Sequence, residues 1–261
     1  MMTRLRLRLR PTGTLSYRKA SNLQGVLFEH ADGAFAEQMH RQSMHPYSQY
    51  LVRDGEEFVW TISTLTDEAA LAMLAPMADP ELSSFTIRKR YSVKVYIIER
   101  KLETFGGEDW MHLYYAEELP REIRIDFLTA TAFRQNGVYC ILPDLRLVYQ
   151  SLLLRYRETI DEAVETGEEV IASMTDCSYI SWHRLQSVRQ PLEGTEIPGF
   201  TGSVTIRFRG REEIIRFILC LLHFGTFSGV GIKTGMGMGA IAVREAKRGT
   251  TQSSEATRND E

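Results

Sequence analysis

Six histidines and one run of glycines around a lysine hold most of the chemistry this chain could do. An imidazole titrates near pH 6.5 and can give or take a proton close to neutrality, so His30, His40, His45, His112, His183 and His223 are each candidates for acid–base work. His223 lies in an apolar stretch, where a core histidine is the usual occupant, and His112 and His183 are likewise read as structural. Six glycines fall between Gly225 and Gly239, with Lys233 among them. Such a segment either turns the chain sharply or lets backbone lie against another surface. If successive N–H groups are exposed there, they can hold an anion, and Lys233 adds charge at the same place. The alternative is a loop that only reverses the chain.

Two nucleotide-binding motifs are excluded by context. A P-loop needs Gly-Lys-Ser/Thr between a strand and a helix, but Ile232 precedes Lys233-Thr234 and the segment leaves a helix to enter a strand. A dinucleotide fingerprint requires the same strand-to-helix setting. Cys140, Cys177 and Cys220 are far apart and form no Cys-x-x-Cys pair, which argues against a zinc knuckle or a disulfide framework and for small buried hydrophobes. No compact Asp/Glu/His group suggests a two-metal site, and neither a metal nor a cofactor is expected.

The elements that must position these residues follow a repeated rhythm. Leu5, Leu7 and Leu9 alternate with Arg4, Arg6, Arg8 and Arg10, the pattern of a strand with one apolar and one basic face. Apolar spacing predicts a helix from Asn22 to Met39 with Asn22 as its cap. Strands follow at Tyr47 to Val52 and Glu57 to Leu65, then a helix at Asp67 to Met77 capped by Thr66, and strands at Phe85 to Leu102 and Trp110 to Glu117. A second round starts after Pro120. It has a strand at Arg121 to Arg134 turning at Gly137, a helix at Asp144 to Thr166 behind Pro143, and strands at Tyr179 to Val188 and Ser203 to Phe208. The last two are separated by a loop containing Pro191, Gly194, Pro198 and Gly199. A helix at Glu212 to Phe224 and a strand at Ala240 to Val243 close it. The reading is α+β, with tandem ferredoxin-like (RRM-like) domains at 1–118 and 119–246 and a disordered tail at 247–261.

With 261 residues, 43% hydrophobic and 25% charged, the chain has the composition of an ordinary globular protein. No apolar run reaches the length of a membrane span, no signal-peptide core opens the chain, and a cytoplasmic protein is expected. The net charge of −3 disfavours nucleic acid only as an average. Residues 1–20 carry Arg4, Arg6, Arg8, Arg10, Arg18 and Lys19 without an acid, whereas acids crowd Asp161 to Glu169. A basic face on an acidic protein is therefore expected.

The stretch Gly229-Val230-Gly231-Ile232-Lys233-Thr234-Gly235-Met236-Gly237-Met238-Gly239, between a helix and a strand, resembles the C-terminal glycine-rich loop of the repeat-associated RNA-binding (RAMP) superfamily of CRISPR systems. Within it, the match is to the repeat-processing endoribonuclease, the sixth Cas family, although Met238 stands where an aromatic is common. Phe127-Leu128-Thr129-Ala130-Thr131-Ala132-Phe133 resembles that family's second-domain strand, and Leu142-Pro143 with Leu152-Leu153 the helix after it. Met39-His40-Arg41 followed by Pro46-Tyr47-Ser48 resembles its early histidine region.

The resemblance implies metal-free cutting of CRISPR repeat RNA on the 3′ side of the repeat, leaving 2′,3′-cyclic phosphate and 5′-hydroxyl ends. Such a reaction needs a base for the 2′-hydroxyl, a donor for the leaving oxygen and positive charge on the phosphate. It implies His40 as the catalytic histidine, with His45 second, and Tyr47 in place of a first-helix tyrosine where Phe28 stands. RNA contacts are expected from Gly229, Gly231, Lys233, Thr234, Gly235 and Gly237, and from Arg4, Arg6 and Arg8. Lys19, Lys89 and Lys94, together with Arg88, Arg90, Arg207 and Arg209, are further candidates. The basic strand could instead serve only to keep a sheet face soluble. Effector-complex subunits and a second copy of the chain are possible partners. Two other readings stay open: a non-catalytic RNA-binding subunit of an effector complex, and a small-ligand-binding protein built on duplicated ferredoxin-like domains.

Overall fold

A computed structural model of the chain describes residues 1–16, 20–41, 44–88, 92–192 and 194–245, with the side chain of His40 outside that set. The expected tail at 247–261, and Arg18, Lys19, Lys89 and Arg90, lie outside the described residues. Among the described residues, no helix is long and apolar enough to cross a membrane.

The N-terminal half builds a five-stranded antiparallel sheet from β1 (Met2–Pro11), β2 (Tyr47–Asp54), β3 (Glu57–Thr64), β4 (Ser84–Ile87) and β5 (Val93–Phe105), in the order β2-β3-β1-β5-β4. Without β4, this is the order of a ferredoxin-like sheet, with the first strand central between the third and the last. Alternation fixes the orientation of β1. Leu5, Leu7 and Leu9 are buried in the core with Leu23, Val26, Leu27 and Trp60, each aliphatic chain worth about 1.5–3 kcal/mol of burial. A one-residue slip would turn all three outward.

The predicted first helix is two: α1 (Ser21–His30) and α2 (Gly33–Arg41). Asp32 breaks it, its carboxylate accepting from the Ala34 and Phe35 amides at 3.0 Å and capping the second helix. Ala20 occupies the N-cap position of the first helix without a side-chain cap, and Asn22, expected as the cap, instead leaves a buried Oδ1 without a partner among the described residues. Thr66 does cap the next helix, accepting from Ala69 N. That helix runs through α3 (Asp67–Ala69), a π-helical Ala70–Leu74 and α4 (Ala75–Ala78).

Trp110 to Glu117, expected as a strand, is helical instead: α5 (Gly107–Tyr114). Asp109 reaches back to the Gly106 amide at 2.7 Å, and Glu108 and Asp109 lie in the first turn, where the helix dipole favours acids. Trp110 packs edge-on to Phe105 and Tyr156.

The C-terminal half repeats the plan. β6 (Glu122–Thr131), β9 (Ser178–Leu192), β10 (Thr195–Phe208) and β11 (Ile241–Glu245) form an antiparallel sheet in the order β11-β6-β10-β9. The strand predicted through Arg134 stops at Thr131, and β7 (Phe133–Gln135) and β8 (Val138–Cys140) form a small hairpin. Helices α6 (Leu145–Thr159), α7 (Glu168–Asp176) and α8 (Glu212–Ser228) pack on one face of the larger sheet around Ile123, Ile125, Leu152, Val204 and Leu222. The helix predicted through Thr166 ends at Thr159, and α7 is a separate element. The expected loop around Pro191, Gly194, Pro198 and Gly199 is the far end of a long hairpin, because Ile197 and Leu192 have a small apolar cluster to enter beside Met236 and Met238. Cys177 is buried, Cys140 and Cys220 are half-buried, and all three are unpaired.

Candidate functional site

The two ferredoxin-like units meet along a seam that carries both segments singled out from sequence. The segment from Gly229 to Gly239 leaves the C-terminus of α8, passes through a 3₁₀ turn at Thr234–Met236 and enters β11. Almost all of it is buried, and Lys233 is exposed in a left-handed conformation (φ 58°). The expectation of a glycine cradle with open N–H groups is corrected here. The amides of Gly229, Gly231 and Gly237 are already bonded, to Gly225 O (2.9 Å), Ser151 Oγ (2.8 Å) and Thr234 O (3.4 Å). Those of Val230, Ile232 and Gly239 are bonded to Gly239 O, Ala132 O and Ala130 O.

The glycines serve close approach instead. A Cβ on Gly235 would stand 3.1 Å from the Tyr47 ring, and one on Gly239 would stand 2.0 Å from Val230 O, at a backbone φ of 72° that disfavours any side chain. The turn is thus a wedge seated in the N-terminal unit. Gln49 of β2 donates to Gly235 O (3.2 Å) and Ala20 O (3.0 Å) while accepting from Trp60 Nε1 (2.8 Å).

Arg155 holds the wedge from the other side. Its guanidinium donates to Ser228 O at 2.9 Å and to Thr234 Oγ1, and burial lowers its pKa to about 10. Thr234 is therefore a buried acceptor in the wedge rather than an exposed RNA contact. Neither Gln49 nor Arg155 was named from sequence. The available signal was a charged residue directly after the apolar run Leu152-Leu153-Leu154, since a buried charge must have partners.

Tyr47 lies where the two segments meet. His45 stacks on it (centroids 5.5 Å, planes 3° apart), Phe28 meets it edge-on at 6.0 Å, and Gly235 packs against the same ring. Its hydroxyl accepts from Gln24 Nε2 at 2.8 Å, and burial pushes its pKa up to about 12. A fully buried phenol so engaged is a wall of the site, which corrects the expectation of Tyr47 as a proton carrier. His45 is half-buried, with Nε2 donating to Met39 O at 3.1 Å, so that contact fixes the ring against the end of α2. His40 occupies the last turn of that helix, and its side chain lies outside the described residues. A cleft of about 500 Å³ opens beside it, between Gln38, Met39 and Arg41 of α2, Met44 and Pro46 of the following segment, and Glu158 of α6.

The arginines of β1 separate into two roles. Arg4 is buried in the seam, its guanidinium 3.9 Å above the Phe227 ring and donating to Thr226 O (2.6 Å) and Thr226 Oγ1 (3.1 Å); burial lowers its pKa. It is an interdomain strut, which corrects its reading as an RNA contact. Arg6 pairs with Glu103, Arg8 with Asp54 (3.0 Å), Glu57 (3.2 Å) and Glu99 (3.3 Å), and Arg10 with Glu57 (2.6 Å). The basic strand is neutralised by its neighbours in the sheet. Arg88 stands 3.8 Å from Glu29, and the exposed Lys94 lies over Tyr96. His112 and His183 are exposed, and His30 bonds Val26 O of its own helix. His223 was expected as a satisfied core histidine, yet its buried Nε2 has no partner among the described residues. Burial, followed by the nearby Arg4, lowers its pKa to about 4.

The sequence and the fold have counterparts among known proteins. The model of the family described as CRISPR-associated endoribonuclease Cas6 matches residues 125–241. The chain is 38% identical over 224 residues to a CRISPR-associated endoribonuclease Cas6 of Mycobacterium tuberculosis (strain CDC 1551 / Oshkosh), covering 85% of this chain and 71% of the relative. It is 27% identical over 228 residues to one of Streptococcus thermophilus, covering 87% and 92%. Among solved structures, a Cas6 product complex (TTHA0078) superposes with a TM-score of 0.75 at 21% identity, over 93% of this chain and 99% of that one. A Thermus thermophilus Cas6 superposes with a TM-score of 0.70 at 21% identity, over 94% and 98%.

Proposed function

We propose, from the premise that this chain belongs to the CRISPR-associated endoribonuclease Cas6 family, that it is a repeat-RNA endoribonuclease whose cut is made at the seam beside the end of α2. Its substrate is the transcript of CRISPR repeats, and its product is the individual guide RNA. The observation that carries the location is the layered contact of His45, Tyr47 and Gly235, which draws the histidine segment and the Lys233 turn to two sides of one buried ring.

The chemistry proposed uses the RNA's own 2′-hydroxyl. An imidazole takes that proton while the oxygen attacks the adjacent phosphorus, the bond to the 5′-oxygen breaks, and that oxygen is protonated as it leaves. The products are a 2′,3′-cyclic phosphate and a 5′-hydroxyl, with no metal in the balance. His40 is assigned the catalytic role and His45 the second. Supporting this, His45 is fixed against the end of α2 by its stack on Tyr47 and its bond to Met39 O. Lys233 is assigned the phosphate charge, being exposed at the tip of an otherwise buried turn. Tyr47 is left as the wall between them. The division of the chain at residue 118 is supported by sheet membership, since strands through Phe105 belong to one sheet and those of the larger second sheet begin at Glu122.

The deciding experiment is cleavage of the repeat transcript in EDTA. Wild type is expected to give one defined cut near the 3′ end of the repeat, and H40A to lose at least about 100-fold in single-turnover rate, the usual worth of one acid–base group, while still binding RNA. H45A is expected to lose less. If H40A and H45A both cut at the wild-type rate, the site is elsewhere, and a requirement for divalent metal removes the mechanism.

A further inference from the structure

We infer that Thr234 and Arg155 are positioning residues, which hold Lys233 in a strained backbone conformation and so aim its ammonium at the phosphate being cut. The inference rests on the assignment of Lys233 as the phosphate charge and adds the device that sets its direction.

The starting observation is a lysine at a position where the backbone favours glycine. Between Gly229 and Gly239 the chain takes a positive φ five times, and four of those positions are glycine: Gly229 (70°), Gly231 (76°), Gly237 (95°) and Gly239 (72°). The fifth is Lys233, at φ 58° and ψ 33°. This left-handed region disfavours a residue carrying a Cβ by roughly 5- to 30-fold in population, and such residues persist where their surroundings hold them. Among the described residues, only Asn136 shares the feature without being glycine, and asparagine is the usual occupant of a tight hairpin turn. A glycine at 233 would relieve the turn, so what the lysine contributes lies in its side chain. That side chain is exposed and has no carboxylate within ion-pair range among the described residues.

Thr234 supplies the restraint. It is buried, and its methyl group fills the space that two glycines leave: a Cβ on Gly229 would stand 2.8 Å from Thr234 Cγ2, and one on Gly239 would stand 3.2 Å from it. Its hydroxyl accepts from the Arg155 guanidinium, which also donates to Ser228 O at 2.9 Å, in the last residue of α8. Lys233 therefore precedes a residue whose methyl and hydroxyl are both engaged, while its own carbonyl accepts from Met236 N (2.9 Å) and Met238 N (3.3 Å).

Arg155 ties this latch to the cleft. It belongs to α6, and one turn further on Glu158 and Thr159 line the cavity beside the end of α2. Thr159 Oγ1 donates to Arg155 O at 2.7 Å, so the same helical turn carries the latch and a wall of the cleft. Arg155 is buried with a carbonyl and a hydroxyl as partners but no carboxylate in ion-pair range among the described residues. A buried cation without a counter-charge is a costly fastener, and here its charge lies unneutralised beneath a turn assigned to meet an anion.

The test is single-turnover cleavage of the repeat transcript in EDTA, with Kd measured separately, for wild type, K233A, T234V, T234S and R155M, and for T234V and R155M in the K233A background. Thermal unfolding identifies any variant that fails to fold, and T234V, which keeps the shape of the buried side chain, carries the decision if R155M is one. K233A is expected to slow cleavage roughly 10- to 150-fold, the usual worth of one hydrogen bond to a charged group. T234V is expected to slow it about 5- to 30-fold, the factor by which the released backbone leaves the left-handed region, with Kd within about threefold. R155M should lose at least as much, and T234S should keep most of the wild-type rate. With Lys233 already replaced by alanine, T234V and R155M are expected to change the rate by less than about twofold, because the ammonium they aim is gone. A T234V that cuts at the wild-type rate, or that loses as much without Lys233 as with it, overturns this inference and leaves the nuclease reading intact. A K233A that cuts at the wild-type rate overturns the assignment of Lys233 together with the device built around it. A wild type that neither binds nor cuts the repeat overturns the proposed function as well.

Discussion

The outward faces of the two sheets both carry arginines, and the two sets have different fates. On the N-terminal sheet, Arg6, Arg8 and Arg10 stand opposite Glu103, Glu99, Glu57 and Asp54 from the adjoining strands, so that each positive charge is met within the sheet. On the C-terminal sheet, Arg124 and Arg244 share one aspartate, Arg184 has no carboxylate partner among the described residues, and exposed aromatic rings lie between them. A run of arginines is thus a poor guide to an RNA surface. What matters is the charge left after the neighbouring strands have been counted, because surface ion pairs consume the field that phosphates would otherwise feel.

The strongest way to sharpen this contrast lies within β1 itself. Arg4→Ala is expected to cost about 2–4 kcal/mol, because it removes a buried, hydrogen-bonded cation and strands the Thr226 carbonyl at the seam. Arg8→Ala, four residues along, should cost less than about 1 kcal/mol. Urea midpoints at constant slope measure both, and equal losses would mean that the seam does not depend on Arg4.

A second prediction concerns the seam's pH dependence. His223 sits beside Phe105, Phe227 and Arg4, with Asp109 the acid that partly offsets them. Its folded pKa, lowered to about 4, lies below the ordinary 6.5, so the unfolded chain takes up the proton first. Stability is therefore full above pH 6.5 and falls as pH drops toward 4, by on the order of 2–3 kcal/mol. H223F should flatten that part of the profile. A wild-type profile that does not change over the same range would show the imidazole to be solvated.

The smallest effect bears directly on the two faces. Arg124→Ala and Arg244→Ala are each expected to reduce the salt dependence of repeat binding by about 0.7 in log–log slope, the value for one phosphate contact on a single strand. Arg6→Ala and Arg8→Ala should leave the slope within error. Equal slopes for all four variants would erase the distinction between the sheets.

Much of the architecture was legible in the sequence. Period-two alternation in Leu5 to Arg10 set the first strand, Thr66 capped its helix as expected, and two rounds of the same element order gave two ferredoxin-like units. The errors came where tertiary partners overrode local pattern. The aromatics around Trp110 read as a strand because β-propensity is a statement about packing surfaces, and here a capping box turned them into a helix against α8. The prolines and glycines from Pro191 to Gly199 read as a loop, yet Ile197 and Leu192 found a cluster to join and the hairpin ran on.

The candidate site divides in the same way. Sequence alone singled out the segments to which the site is assigned, because a histidine segment and a lysine inside a glycine-dense turn are matters of composition and order. Tertiary structure decided what each residue does there. The partners that bury Arg4, take the Gly231 amide and seal Tyr47 come from positions tens to hundreds of residues away. Hydrogen-bond and charge balances close only in space, and no reading of neighbours along the chain contains those distances.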